Sequence, residues 1–417
     1  MPRPNNVTTS YTYDNLSHLL SVLHKLSGST IDGATYTVDA AGNRTAKTDQ
    51  HAGVTSNYGY DSIYELLSTT QGSNTTESYT YDAVGNRLSS LGESPYSYNS
   101  SNELTSTPNA TYTYDSNGNT TSKTASGNTT NYSWDYENRL ASVTLSGTGG
   151  TVTFKYDPYG RRIQKVFTQN STTTTTNYVY DGADTVEETD QNGNILGRYS
   201  RTTNIDEPLA ESRSGMTSFY EQDGLGSTTT LTNGSGAVAN TYTYDSFGNL
   251  TASSGSIANP IRYTGREFDT ETSLHYYRAR HYDATVGRFE SEDPVRFAGG
   301  VNYYAYIDND PANLVDPLGL LPKPKDFRWR PCNTKEWAYC IEFCAKQGRT
   351  LISCAVSQTK RIKSLKLGPR WYDSVGDPSC NCEDPDKSCE QLPKIDMKYM
   401  HPTAFDLWVS FSMFPIE

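Results

Sequence analysis

Aromatic and polar positions alternate through much of the chain in a short unit, aromatic-x-aromatic-Asp. It recurs nine times: Tyr11–Asp14, Tyr36–Asp39, Tyr58–Asp61, Tyr79–Asp82, Tyr96–Asn99, Tyr112–Asp115, Tyr132–Asp135, Phe154–Asp157 and Tyr178–Asp181. Val38 replaces the second ring in one copy, and Asn99 replaces the acid in another. The acidic positions fall 25, 22, 21, 17, 16, 20, 22 and 24 residues apart. Rings at i and i+2 lie on one face of a strand. The Asp that follows starts a turn by accepting backbone N–H groups ahead of it. Gly-Asn pairs such as Gly85-Asn86 and Gly118-Asn119 then supply the positive-φ positions of a tight turn. Arg139-Leu140 illustrates the entry into the next strand. Each unit predicts a hairpin that cannot hide its aromatic face alone. A repeat of about twenty residues with variable loops predicts many such hairpins side by side in one long sheet.

Composition supports an all-β reading. The 417 residues are 34% hydrophobic, below the roughly 45–50% of ordinary domains. The 32 tyrosines supply the missing apolar area, with strand propensity and a polar tip. Net charge is −12, unevenly spread: residues 322–417 hold 15 basic and 12 acidic side chains, the remainder 20 and 35. An acidic body disfavours nucleic-acid binding there. No apolar run approaches the ~18–20 residues of a membrane span. The opening MPRPNNVTTS lacks the apolar stretch of a secretory signal. With a repeat already under way at Tyr11, the chain reads as a piece of a longer protein or a short cassette cut from one. The repeat acids read as turn caps. A calcium loop needs a greater density of carboxylates, and a period-2 aromatic stripe is more often core than a sugar platform.

Residues 182–259 continue with Gly-rich turns and strands, including Glu221-Gln222-Asp223-Gly224 and Tyr242–Asp245. At 260–320 the chain becomes dense in Arg, Tyr and acids. It carries Arg262–Glu267, Tyr276-Tyr277-Arg278-Ala279-Arg280-His281-Tyr282-Asp283, Gly287–Pro294, Gly299–Tyr306 and Asn309–Leu320, with Asp-Pro pairs at Asp293 and Asp316. Read without any relative, Asp-Pro pairs are turn formers and Arg280 is a structural ion-pair partner.

These motifs, in this order, resemble the RHS/YD-repeat proteins with an RHS-associated core. That family includes bacterial polymorphic toxins, the C components of insecticidal toxin complexes and, distantly, the teneurins. The resemblance implies a spiralling antiparallel β-hairpin sheet forming a shell, here partial, with the core rolled inward as a plug. It implies an aspartyl-type autoprotease acting once on its own chain. Carried over by position, the acids are Asp293 and Asp316, the supporting arginine is Arg280, and the scissile bond is Leu320–Leu321. Two carboxylates sharing a proton suit peptide hydrolysis, and Gly319 would let backbone approach the acids closely. Two departures are visible. Gln222 stands where such cores often carry His, which argues against chemistry in that loop. Arg296 stands where the Asp-Pro-x-Gly form has Gly.

The tail, 321–417, reads as a separate small α-rich, cysteine-containing domain after the stiff linker Pro322-Lys323-Pro324-Lys325. One helix is expected from about 334, with Trp337, Cys340, Ile341 and Cys344 on one face. A second is expected over about 350–363, with Leu351, Ile352, Cys354 and Val356. Cys332, Cys340, Cys344, Cys354, Cys380, Cys382 and Cys389 read first as disulfide candidates. Zinc held by Cys380, Cys382, Cys389 and His401 is the weaker reading, since the spacing is not a standard one. No metal or cofactor is expected. A nucleophilic cysteine paired with His401, and a basic run Lys360–Lys366 meeting nucleic acid or anionic lipid, are further alternatives to plain structural roles.

The domains expected are therefore repeats at 1–181, a transition at 182–259, the core at 260–320 and an effector at 321–417. The function expected is a shell segment that encloses and releases a C-terminal toxin, for bacterial antagonism or toxin delivery. Its partners would be its own tail as cargo, an immunity protein and delivery machinery. It would be secreted or at the cell surface, exported by a route not visible here. The alternative is a non-enzymatic surface or adhesion protein that binds cell-surface glycan, with a disulfide-stapled tail.

Overall fold

The computed structural model describes residues 3–296 and 300–320. Beyond them it describes the backbone of strands Lys323–Pro324, Arg328–Pro331, Thr350–Arg361, Arg370–Asp373 and Ser379–Glu383. The chain forms two compact units, Met1–Lys323 and Pro324–Glu417.

The first unit is built from antiparallel hairpins. Seven strands from Val7–Tyr13 to Asn74–Ser78 form one sheet, and sixteen from Ser97–Tyr98 to Leu250–Ser254 form another. In both sheets the spatial order is the sequence order. In the middle repeats the two rings have different tasks. The first enters the core: Tyr112, Tyr132, Phe154 and Tyr178 are all buried. The second reaches back to the preceding strand. Tyr114 Oη donates to Leu104 O at 3.1 Å, Trp134 Nε1 to Thr120 O at 2.7 Å, Tyr156 Oη to Leu140 O at 2.8 Å and Tyr180 Oη to Arg162 O at 2.9 Å. A register shift recurs just before this second ring, at Thr113/Tyr114, Ser133/Trp134 and Lys155/Tyr156. A bulge re-aims a side chain, which explains why two rings at period 2 part company.

The repeat acids cap turns. Asp115 Oδ1 accepts the N–H groups of Asn117 and Asn119, both at 2.9 Å, while its Oδ2 accepts Asn119 Nδ2 at 2.9 Å. Gly118 turns the chain with φ +78°. Asp82, Gly85 and Asn86 repeat the arrangement.

Residues 260–320 pack against repeats drawn from nearly the whole unit. They contain a small sheet of Glu267–Asp269, Leu274–Tyr277, Arg280–Asp283 and Arg288–Phe289. Every residue of Leu274–Tyr277 and Arg280–Asp283 is buried. Tyr277, Tyr282, Phe289 and Tyr306 cluster with Leu66, Tyr79 and Phe247. Leu274 joins the Tyr132, Val143 and Phe154 cluster, and Val286 joins that of Tyr96, Leu104 and Tyr112. Charge is buried there too. Arg162 pairs with Asp269 and, at 2.7 Å, with Glu267; Lys165 holds Asp269 at 3.1 Å and Glu271 at 2.9 Å. The N-terminal strands also meet later ones: Lys47 pairs with Asp223 at 2.7 Å, and His24 Nε2 donates to Gln222 O at 2.9 Å.

The second unit corrects one expectation. Residues 350–361 form a strand, Thr350–Arg361, where a second helix was expected. It pairs antiparallel with Arg328–Pro331, Arg370–Asp373 and Ser379–Glu383, and the register sets Cys354 opposite Cys380. The β-branched residues Thr350, Ile352, Val356 and Thr359 favour a strand over a helix. An α-rich tail is therefore unsupported. The helix expected from about 334, together with Cys332, Cys340, Cys344, Cys389 and His401, lies outside the described residues. No helix among the described residues is long and apolar enough to cross a membrane.

Candidate functional site

The site is organised by the hairpin joining Leu274–Tyr277 to Arg280–Asp283, in which Tyr277 faces Arg280. Arg280 opens the second strand with a buried side chain, its guanidinium 3.5 Å from the centroid of the Phe289 ring. Its Nε donates to Gly319 O at 2.5 Å and its Nη1 to Tyr303 O at 2.8 Å. The remaining nitrogen, Nη2, lies 2.9 Å from Asp293 Oδ2 and 3.6 Å from Asp316 Oδ2. Two acids far apart in sequence thus converge on one nitrogen. Both are buried, at 4% and 2% exposure.

Each acid also holds its own turn. Asp293 Oδ1 accepts Val295 N at 2.9 Å, and Asp316 Oδ1 accepts Leu320 N at 3.1 Å. Burial pushes the Asp293 carboxyl up to about 6, against the opposing pull of Arg280 and Val295 N–H and with a further rise from Asp316. Burial lowers the Arg280 guanidinium from its ordinary value, and the two acids counter that. Gly319 has φ +70°, and a Cβ there would fall 2.2 Å from Tyr277 O. The close approach that demands glycine is therefore to the hairpin backbone, not to the acids as expected.

Leu320 is buried, while Leu321 lies outside the described residues. The neighbouring acids are engaged elsewhere: Asp283 pairs with Lys123 at 2.7 Å, and Asp310 Oδ1 accepts Asn313 Nδ2 at 2.7 Å. Gln222 Nε2 donates to Gly226 O at 2.5 Å, a brace within its own loop. Among the described residues no cluster of His, Cys, Asp and Glu is arranged to hold a metal.

Arg296 is exposed and occupies φ +50°, the conformation that glycine adopts without strain. A left-handed residue with a Cβ costs roughly 1–2 kcal/mol. Arg296→Gly is therefore expected to raise the unfolding free energy by about 1 kcal/mol, read as a higher denaturant midpoint at unchanged slope. An unchanged or lower midpoint would show that Arg296 makes compensating contacts.

Sequence reasoning missed the Arg162–Glu267–Asp269–Lys165 network. The available signal was acid-x-acid at Glu267 and Asp269, which places both carboxylates on one face of a buried strand.

The family model described as Teneurin YD-shell matches residues 50–312. The chain belongs to the teneurin YD-shell family. Among curated relatives of this YD-shell chain, the tRNA3(Ser)-specific nuclease WapA of Bacillus spizizenii is 35% identical over 277 residues, covering 62% of this chain and 12% of that protein. The double-stranded DNA deaminase toxin A of Burkholderia cenocepacia is 29% identical over 316 residues, covering 68% of this chain and 22% of that protein. Among solved structures, TcdB2-TccC3 without its hypervariable C-terminal region matches with a TM-score of 0.63 at 20% identity, over 76% of this chain and 18% of that one. That likeness is one of fold. The YD-shell chain spans only a minor part of each of these molecules.

Proposed function

We propose that this YD-shell chain hydrolyses its own Leu320–Leu321 bond and so releases residues 321–417, a toxin effector carried at the end of the shell segment and delivered against other cells. The observation that carries the reading is the convergence of Asp293 and Asp316 on Arg280 Nη2, with Leu320 N–H on Asp316 Oδ1. In the proposed reaction the carboxylate takes a proton from water, whose oxygen attacks the Leu320 carbonyl. The protonated acid gives its proton to the Leu321 nitrogen as the C–N bond breaks, leaving a Leu320 carboxylate and a Leu321 amine. The upward shift of Asp293 suits it to hold the shared proton, and Arg280 to keep the pair charge-balanced. Substrate and catalyst in one chain need no binding step, so a modest catalyst suffices.

The effector role of the tail rests on its position. Relatives sharing this segment are named for different activities, a tRNA nuclease and a DNA deaminase toxin. The TccC3 structure was solved without a hypervariable region at its C-terminal end. An immunity protein and a delivery apparatus are the partners such an effector requires.

N-terminal sequencing of the smaller fragment from the purified chain tests the proposal. A fragment beginning at Leu321 supports it; a chain that stays whole at acidic and neutral pH overturns it in favour of a non-enzymatic surface protein. The rate should also depend on pH. Asp293 must carry a proton, so cleavage is expected to slow as pH rises through about 6. The same group is protonated more tightly folded than unfolded. Its favourable contribution to stability is complete below the unfolded carboxylate range and is lost as pH rises through about 6. A cleavage rate that rose across that interval would rule out Asp293 as the acid.

A further inference from the structure

Three consecutive residues of the hairpin hold three consecutive carbonyls ahead of the proposed scissile bond. Arg278 Nη1 donates to Pro317 O, Ala279 N donates to Leu318 O at 3.2 Å, and Arg280 Nε donates to Gly319 O at 2.5 Å. Arg280 also touches the acids; Arg278 does not, and nothing so far gives it a role. Its construction is unusual. It sits in the hairpin turn at φ +58°, a conformation an L side chain adopts at a cost. Its guanidinium is fixed on the repeats: Nε donates to Ala183 O at 3.0 Å, and Nη2 meets Asp184 Oδ1 at 2.9 Å and Asp206 Oδ1 at 2.8 Å. Asp206 is in turn held by Arg266. Arg278 is thus a rigid post set in the repeat wall, with one N–H directed at the segment to be cut.

We infer that Arg278 is a positioning residue for hydrolysis at Leu320–Leu321, fixing the register of residues 316–320 through their backbone carbonyls so that this bond, and not a neighbour, meets Asp293 and Asp316. The inference rests on the self-cleavage reading. Holding successive carbonyls leaves the segment no one-residue slip, and Gly319 is what lets it lie against Tyr277 O and Arg280 N. Selection in this arrangement works on distance along the backbone rather than on side chains. Displacements of about 1 Å at a reacting centre cost on the order of 10²-fold in rate. Arginine is required because its planar fork reaches two carboxylates and two carbonyls at once; lysine keeps the charge but is a single point donor.

The test uses the full chain. Arg278→Lys should cleave about 10- to 100-fold more slowly than wild type, while still unfolding cooperatively above the assay temperature and with an unchanged pH midpoint. Arg280→Lys, which touches the acids, should move that midpoint. A second variant leaves Arg278 in place: one glycine inserted between Leu318 and Gly319. Register control by the hairpin predicts that the released fragment then begins at Leu320. Recognition of the leucine side chain predicts that it still begins at Leu321, which overturns the inference, as does wild-type speed in folded Arg278→Lys. Absence of cleavage in wild type would instead remove the self-cleavage reading itself.

Discussion

The Asp293→Asn chain is expected to remain whole under conditions in which the unsubstituted chain is cut. The substitution is nearly isosteric and keeps an oxygen for Val295 N–H, so the turn at Asp293-Pro294 survives. It removes the proton that the leaving Leu321 amine needs. Loss of a positioned general acid or base costs about 10²–10⁴-fold in rate, enough to make cleavage invisible on the timescale of a purification. Asp316→Asn should behave alike, because the reaction belongs to the pair and not to either acid. Stability separates this from misfolding. Asp293 is destabilised as a carboxylate by burial, so Asp293→Asn should unfold at the same temperature as wild type or higher at neutral pH. Cleavage of Asp293→Asn at the wild-type rate would remove the acid pair from the mechanism.

The largest structural effect is expected from Arg162→Met. Arg162 is 1% exposed and stands between Asp269 and Glu267, on a strand of the repeats facing the core sheet. Its backbone N–H also donates to Tyr276 Oη at 3.0 Å. Arg162 and Lys165 together hold the buried Asp269 carboxyl well below the ordinary carboxylate range. Methionine leaves both acids buried, with Lys165 beside Asp269 and with Thr185 and the charge of Arg266 beside Glu267. Removing one partner of a buried pair typically costs about 3–5 kcal/mol, a large share of the roughly 5–15 kcal/mol that holds a domain together. Chemical denaturation should show the loss as a lower midpoint. Arg162→Met combined with Glu267→Gln and Asp269→Asn should recover part of it, since no uncompensated charge then remains. A single variant as stable as wild type would mean that water reaches these acids.

What the sequence discloses here depends on distance along the chain. Tyr112, Tyr114 and Asp115 announce strand, inward ring and turn within four residues, because period and turn chemistry are local. The bulge before Tyr114 is not announced, and with it the different task of the second ring. The pairing of Arg162 with Glu267 spans 105 residues, and no local pattern selects that partner among the chain's many acids. Asp293, Asp316 and Arg280 could be named only through family resemblance; by themselves the Asp-Pro pairs read as turns, and turns they also are. The strand Thr350–Arg361 was misread because Leu351, Ile352, Cys354 and Val356 also satisfy a helical face over so short a window. The β-branched content was the better guide.

Strand order has a consequence for how the site comes into being. Every hairpin in the two long sheets pairs with its neighbour in sequence, so those contacts close short loops and form early and cheaply. The contacts that seat residues 260–320 are of the opposite kind: Asn309 reaches Glu65 across 244 positions and Tyr276 reaches Arg162 across 114. They have nothing to close against until the hairpins exist. A chain emerging from its N-terminus therefore lays down its wall before Asp293 and Asp316 can meet. Order of synthesis works as a timer: the acid pair is assembled only after the repeats that hold it.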